Sequence, residues 1–291
     1  MSTSPDIAIA EQLNVPSAQS SLEPDDLANN PPWSLLAAVL TWIASVVLLF
    51  LPQVFAIPYV AVHYRNTPPT AELLMADKTL ILILVAGVLP VHIITLAIVW
   101  AIATRLGKFS IVKTLGLTWN GEFKLAHSIG LAIILYGVAF LLTLAFGGQG
   151  TALDRLVESS RAAALMIAFL AVATAPIVEE SIYRGILYPA IARFSGAKVA
   201  VIVVTLLFAV PHVPQYWPNI AVISSITLLS VALTVLRART GRLLPCIAVH
   251  FVFNGIQSVI IVAEPYLRNA LENMRHAGPN GFLIQLFLGL G

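Results

Sequence analysis

Pro176-Ile177-Val178-Glu179-Glu180-Ser181-Ile182-Tyr183-Arg184-Gly185 places two adjacent carboxylates and a guanidinium in a chain segment that otherwise reads as lipid-soluble. The residues before it, from Ala162 to Val178, carry no ionisable side chain. A carboxylate or an arginine at the centre of a membrane helix costs roughly 2.5–3.5 kcal/mol on insertion scales. Three such groups within six positions therefore point to a site with partners elsewhere in the chain. Helical spacing separates the two acids. Glu180 and Arg184 are i, i+4 and can pair with each other, which lowers the cost of burying both. Glu179 points about 100° away, toward the face of Tyr183. It is the carboxylate left free for proton transfer, the work of a general base or acid. Pro176 has no N–H and leaves a helix carbonyl unpaired one turn earlier, so the backbone is expected to open there.

Two later i, i+4 pairs carry the same kind of chemistry: Phe208-Ala209-Val210-Pro211-His212 and His250-Phe251-Val252-Phe253-Asn254. Depth ties the three stretches together. Arg193 back to Glu179 and Lys198 forward to His212 are both about 21 Å along a helix, and His250 and Asn254 lie about 12 and 18 Å beyond Arg242. Each residue alone has a plainer reading: an interfacial Glu–Arg pair, a histidine bonding a neighbouring helix, an asparagine joining two helices. His92 is read in that plainer way, as a packing residue, and His63, His127 and His276 fall near loops or ends. At one depth on three helices, Glu179, His212, His250 and Asn254 are expected to converge.

The elements that must position them are membrane helices. Of 291 residues, 58% are hydrophobic and only 10% charged, where a soluble domain has about 25% charged residues; the mean hydropathy is +0.90. The expected fold is an all-α polytopic bundle of about seven to eight transmembrane helices. Seven apolar runs, near 34–61, 79–103, 127–146, 162–192, 197–213, 219–236 and 243–263, are long enough to cross about 30 Å of hydrocarbon. Pro52 and Pro58 should bend the first, and the fourth is too long for a straight span. The domain reading is a disordered polar and acidic tail over 1–32, three helices over 33–161, a catalytic core over 162–263, and a tail or partial eighth helix over 264–291. The polar start shows no cleavable signal peptide. Lys and Arg number ten on the side of Arg105, Arg193 and Arg242 and six on the other, which predicts a cytoplasmic N-terminus and residence in the cell membrane. A net charge of +2 gives no case for nucleic acid, and Cys246, the single cysteine, excludes an intrachain disulfide and thiolate metal sites. The expected partners are the lipid bilayer and a peptide or lipidated protein substrate.

Glu-Glu-x-x-x-Arg, then Phe-x-x-x-His, then His-x-x-x-Asn, on successive membrane helices, resembles the CPBP (also called ABI) intramembrane proteases, which include CAAX prenyl endopeptidases and bacterial proteins linked to bacteriocin processing or self-immunity. The resemblance covers roughly Ala162 to Ser258 and includes the Arg184-Gly185 step and Gly241-Arg242-Leu243-Leu244-Pro245. It implies hydrolysis of a peptide bond within the membrane. Glu179 would activate water with His212 beside it, His250 and Asn254 would complete the site, and Asn254 would donate to the oxyanion. Glu180 and Arg184 would support, and Phe208 would shape the pocket. Two mechanisms stay open. One has no cofactor; the other has a divalent metal such as zinc on His212, His250 and Glu179, although the His-Glu-x-x-His helix of common zinc peptidases is absent. Two other functions compete: a non-catalytic immunity or scaffold protein, and a small proton-coupled transporter, for which the expected inverted repeats are missing.

Overall fold

A computed structural model describes residues 28–119 and 121–276. Those residues form helices and no strand, and seven helices are long and apolar enough to cross a membrane. We label them α1 (Leu35–His63), α2 (Lys78–Thr104), α3 (Leu125–Phe146), α4 (Arg161–Ser195), α5 (Ala197–Tyr216), α6 (Ile220–Thr240) and α7 (Leu244–His276). The all-α polytopic bundle read from the sequence is thus the observed architecture. Large apolar side chains such as Leu36, Phe140, Ile202 and Phe251 are exposed on its outer surface, as lipid rather than water requires.

Helix starts follow local chemistry. Ser34, Asp77, Ser160 and Asn219 each accept a first-turn backbone N–H through the side chain, satisfying donors that the helix cannot. The α6–α7 turn closes on Gly241 at φ 65°, and Gly116, at φ 68°, accepts the Leu243 N–H. A Cβ on Gly116 would lie 3.0 Å from the Gly241 carbonyl oxygen, so this crossing of two loops needs glycine for its φ and for its space.

The second half of α4 is the centre of the bundle. Every residue from Ser181 to Ala190 is buried, against α1, α2, α5, α6 and the short helix Ile111–Leu115. Around the other side, α3 packs on α6 and α7.

The long α4, too long for a straight span, does not break at its prolines: two segments, Leu170–Thr174 and Ser181–Leu187, take the wider π-helical register. Each ends just before a proline. Ala175 N–H bonds Leu170 O, so the next carbonyl in that register, Ala171 O, would need the N–H that Pro176 lacks; the Asn254 side-chain amide of α7 donates to it instead at 2.9 Å. Likewise Tyr188 N–H bonds Tyr183 O, Pro189 cannot serve Arg184 O, and Arg237 of α6 donates to it at 3.2 Å. The backbone opening expected at Pro176 is present and filled.

The segment 28–32 departs from the tail expected over 1–32; residues 1–27 lie outside the described residues. Ala28 is buried. Arg237 donates to Ala28 O and Asn29 Oδ1, Arg193 to Pro31 O, and Arg105 to Pro32 O, while Trp33 Nε1–H reaches Ile186 O. Three arginines at one end of the bundle thus share the oxygens of residues 28–32, a partner set that reading loop charges for orientation could not anticipate. At the other end, the apolar span of α7, Leu244–Glu264, agrees with the run expected near 243–263, and its helix continues to His276. The expected partial helix at 282–290 lies outside the described residues. In α1 the interruption comes at Leu49–Phe50, where Pro52 opens the second half.

Arg237→Met should cost about 3 kcal/mol by leaving buried carbonyls unpaired, a fall in Tm of roughly 5–10 °C in a detergent thermal-shift assay. Adding Pro189→Ala supplies an N–H for Arg184 O and should recover part of that loss. A double variant no more stable than Arg237→Met would refute this account of α4.

Candidate active site

One cavity of about 530 Å³ opens inside the bundle, and Glu179, Phe208, His212, His250 and Asn254 all line it. The convergence expected from helix depth is therefore present. A smaller cavity of about 140 Å³ adjoins it, and Leu49, His92, Glu179, His212 and Gln215 line both. Four of these five are polar. They form a neck between the two spaces.

The two glutamates differ as their helical positions require. The Glu180 side chain is fully buried, whereas that of Glu179 keeps 26% of its surface. Glu179 is the only carboxylate among the described residues lining either cavity. Its nearest charged or basic neighbour is His250, with Nε2 3.8 Å from Oε2, too long for a hydrogen bond.

Glu180 is more than half of a pair with Arg184. Its Oε1 accepts from Arg184 Nη1 at 2.9 Å and also from His250 Nδ1 at 2.9 Å. The expectation that Glu180 and Arg184 form a self-contained pair is thus corrected: the carboxylate joins the buried arginine of α4 to the site histidine of α7. Arg184 is held in turn by Ser230 and Thr234 of α6, so its other donors also find acceptors. Its guanidinium stacks 4.6 Å above the Phe208 ring, a cation–π contact stronger away from water.

Phe208 is 1% exposed and touches most of the site. Its ring stacks on His212 at 4.9 Å, meets Tyr183 edge-on at 5.0 Å and faces His250 at 6.1 Å. Its carbonyl, one turn before His212, lies 2.7 Å from His212 Nδ1. Because a carbonyl can only accept, Nδ1 carries the proton and Nε2 keeps its lone pair. The same logic fixes His250: Nδ1–H goes to the Glu180 carboxylate, and Nε2 faces Glu179.

Asn254 sits on the cavity wall, but one of its amide N–H groups is used on Ala171 O. Its part as an oxyanion donor rests on the second N–H alone.

His92 was read as packing, and the structure places it on the walls of both cavities. The signal was available. Thirteen residues before Arg105, it lies about 20 Å into α2, the depth of Glu179 and His212. Gln215, one turn after His212 on the last piece of α5, carried no motif that could have marked it.

The fit of a metal can be judged from the ligand set. Among the described residues no three His, Cys, Asp or Glu side chains are grouped so as to hold a metal ion. His212, His250 and Glu179 line one cavity without the convergence a zinc site needs, at about 2.0–2.2 Å from a common point. As placed, they do not fit zinc.

Residues 161–256, from the start of α4 into α7, match the model of a protein family, Rce1-like, described as type II CAAX prenyl endopeptidase Rce1-like. No curated protein and no solved structure matches the chain. The helices α1 to α3 lie outside the matched stretch, although α2 contributes His92 to the same site. Glu179, His212, His250 and Asn254 all fall within it, and this match over residues 161–256 of a multi-pass membrane chain is consistent with a CPBP family intramembrane protease.

Proposed function

We propose that the chain is a metal-free intramembrane endopeptidase in which Glu179 activates water against a peptide bond of a membrane-associated or lipidated substrate. The observation that carries this reading is the pairing of one accessible carboxylate with two fixed histidines on one cavity wall. With their Nδ1 protons turned outward, His212 and His250 offer acceptors at Nε2. A water between Glu179 and His212 then gives one hydrogen bond to each, and its lone pair is free to attack the carbonyl carbon.

In that step Glu179 takes the water proton as general base, and the carbonyl oxygen becomes an oxyanion. The second amide N–H of Asn254 is the neutral donor for it. His250, held at Nδ1 by Glu180, keeps Nε2 beside Glu179 as a further acceptor for the water. Collapse of the intermediate breaks the C–N bond, and the proton held by Glu179 passes to the departing amine. Arg184 holds Glu180 in place, and Phe208 packs on both histidines. Glu180, Arg184 and Phe208 are positioning residues in this scheme. We further propose that the end of the bundle holding residues 28–32 faces the cytoplasm, in line with the excess of Lys and Arg in its loops.

Glu179→Gln keeps the side-chain shape and removes no hydrogen bond, so it should fold and insert normally while kcat falls roughly 10³-fold. The measurement is cleavage of internally quenched peptides, with and without a farnesylated CAAX end, by purified enzyme in proteoliposomes; wild-type turnover by the variant would sink the endopeptidase reading. The same assay with a strong chelator should give an unchanged rate. Loss of activity on chelation and its return with zinc would instead show a metal bound in an arrangement other than the one described above.

A further inference from the structure

We propose that His92 of α2 is a further substrate-contacting residue, whose Nε2 accepts a backbone N–H of the peptide as it passes the neck between the two cavities. The proposal rests on the endopeptidase reading of the site and extends it to a helix outside the matched family stretch.

The tautomer of His92 follows from its partner. Nδ1 lies 2.8 Å from Thr174 Oγ1, and the Thr174 hydroxyl donates its own proton to Leu170 O at 3.1 Å. With the hydroxyl proton on Leu170 O, its oxygen accepts from His92, and the proposal takes this tautomer, in which Nδ1 bears the hydrogen and Nε2 the lone pair. Among the described residues Nε2 has no hydrogen-bond partner, and it is not among the fully buried unpaired atoms. Its residue lines both cavities, as Glu179 of α4 and His212 of α5 do. The support is also rigid: Thr174 is the last residue of the first π-helical segment, one turn before Glu179's own stretch.

The need for such a group comes from the substrate. A peptide drawn out of water into an apolar cavity brings N–H groups that lose their solvent partners, and each left unpaired is costly. At the neck, the groups able to accept are Glu179, His92, His212 and the Gln215 carbonyl oxygen. Glu179 and His212 hold the attacking water. His92 is then the acceptor available to the peptide itself, on the lining it shares with the reacting pair. A substrate threaded from the large cavity into the small one has its scissile bond at the neck, with His92 reading the backbone beside it rather than a side chain.

The test uses the full-length enzyme in proteoliposomes and a quenched peptide from the panel above that the wild type cleaves. His92→Leu should lower kcat/KM about tenfold, mainly through KM, the loss expected for one hydrogen bond. His92→Gln, which keeps an acceptor, should recover most of it. Replacing the peptide's backbone amides by esters, one position at a time, should identify one position next to the scissile bond whose ester costs the wild type about tenfold and costs His92→Leu nothing further. Additive losses at every position, or wild-type kcat/KM in His92→Leu, overturn the proposal; a variant too unstable to assay is replaced by the ester series on His92→Gln, where the coupling should shrink but persist at the same position. Glu179→Gln, run alongside, separates the two claims. If it is inactive while His92→Leu is normal, the endopeptidase reading stands and the role of His92 falls; if it is active, the endopeptidase reading itself falls.

Discussion

The structure depends on how α4 satisfies its own backbone. In hydrocarbon an unpaired carbonyl has no water to turn to, and each costs several kcal/mol. Pro176 and Pro189 each remove one N–H from the helix at the heart of the bundle. The π-helical turns before them shift the affected carbonyls to Ala171 and Arg184, where the side chains of Asn254 and Arg237 can reach them. These two bonds link α4 to α7 and to α6. The wider turns also bring Glu180 and Arg184 into a fully buried pair and turn Glu179 toward the cavity. The irregularity that destabilises α4 in isolation is thus what fastens its neighbours around it.

Charge follows the same framework. Arg184 and Arg237 are both fully buried, which would be prohibitive without partners. Arg184 has Glu180, with Ser230 and Thr234 taking its remaining donors; Arg237 has carbonyl and amide oxygens from α4 and from residues 28–29. Through Glu180, the paired charge also reaches His250. One carboxylate oxygen therefore sets the plane of a site histidine and neutralises a buried cation. Glu179, one residue earlier, is left out of this hydrogen-bond network and keeps part of its surface accessible.

Much of this was legible in the sequence. The seven spans emerge from apolar run length, because the hydrocarbon thickness fixes how many residues a helix needs. Convergence of Glu179, His212, His250 and Asn254 follows from counting residues inward from flanking arginines and lysines, since rise per residue is nearly constant. What was not legible depended on register and on partners distant in sequence. The i, i+4 rule pairs Glu180 with Arg184 but says nothing of a histidine seventy residues away. Asn254 reads equally as a donor to substrate or to a helix, and only the π-helical register shows which carbonyl claims it. The basic loops were counted as charges when much of their work is hydrogen bonding to residues 28–32. His92 was passed over because no second residue on α2 marked it, although its depth matched.

The three histidines share a consequence of these contacts. His92, His212 and His250 all have Nδ1 facing an acceptor, namely Thr174 Oγ1, Phe208 O and the Glu180 carboxylate. His212 and His250 thus carry a proton on Nδ1, and with the tautomer proposed for His92 all three leave Nε2 available around the one accessible carboxylate. Such a wall attracts hydrogen-bond donors: water, and the N–H groups of a peptide. It gives little help to a developing oxyanion, which needs donors. That requirement falls on the second N–H of Asn254, since the first is used on Ala171 O.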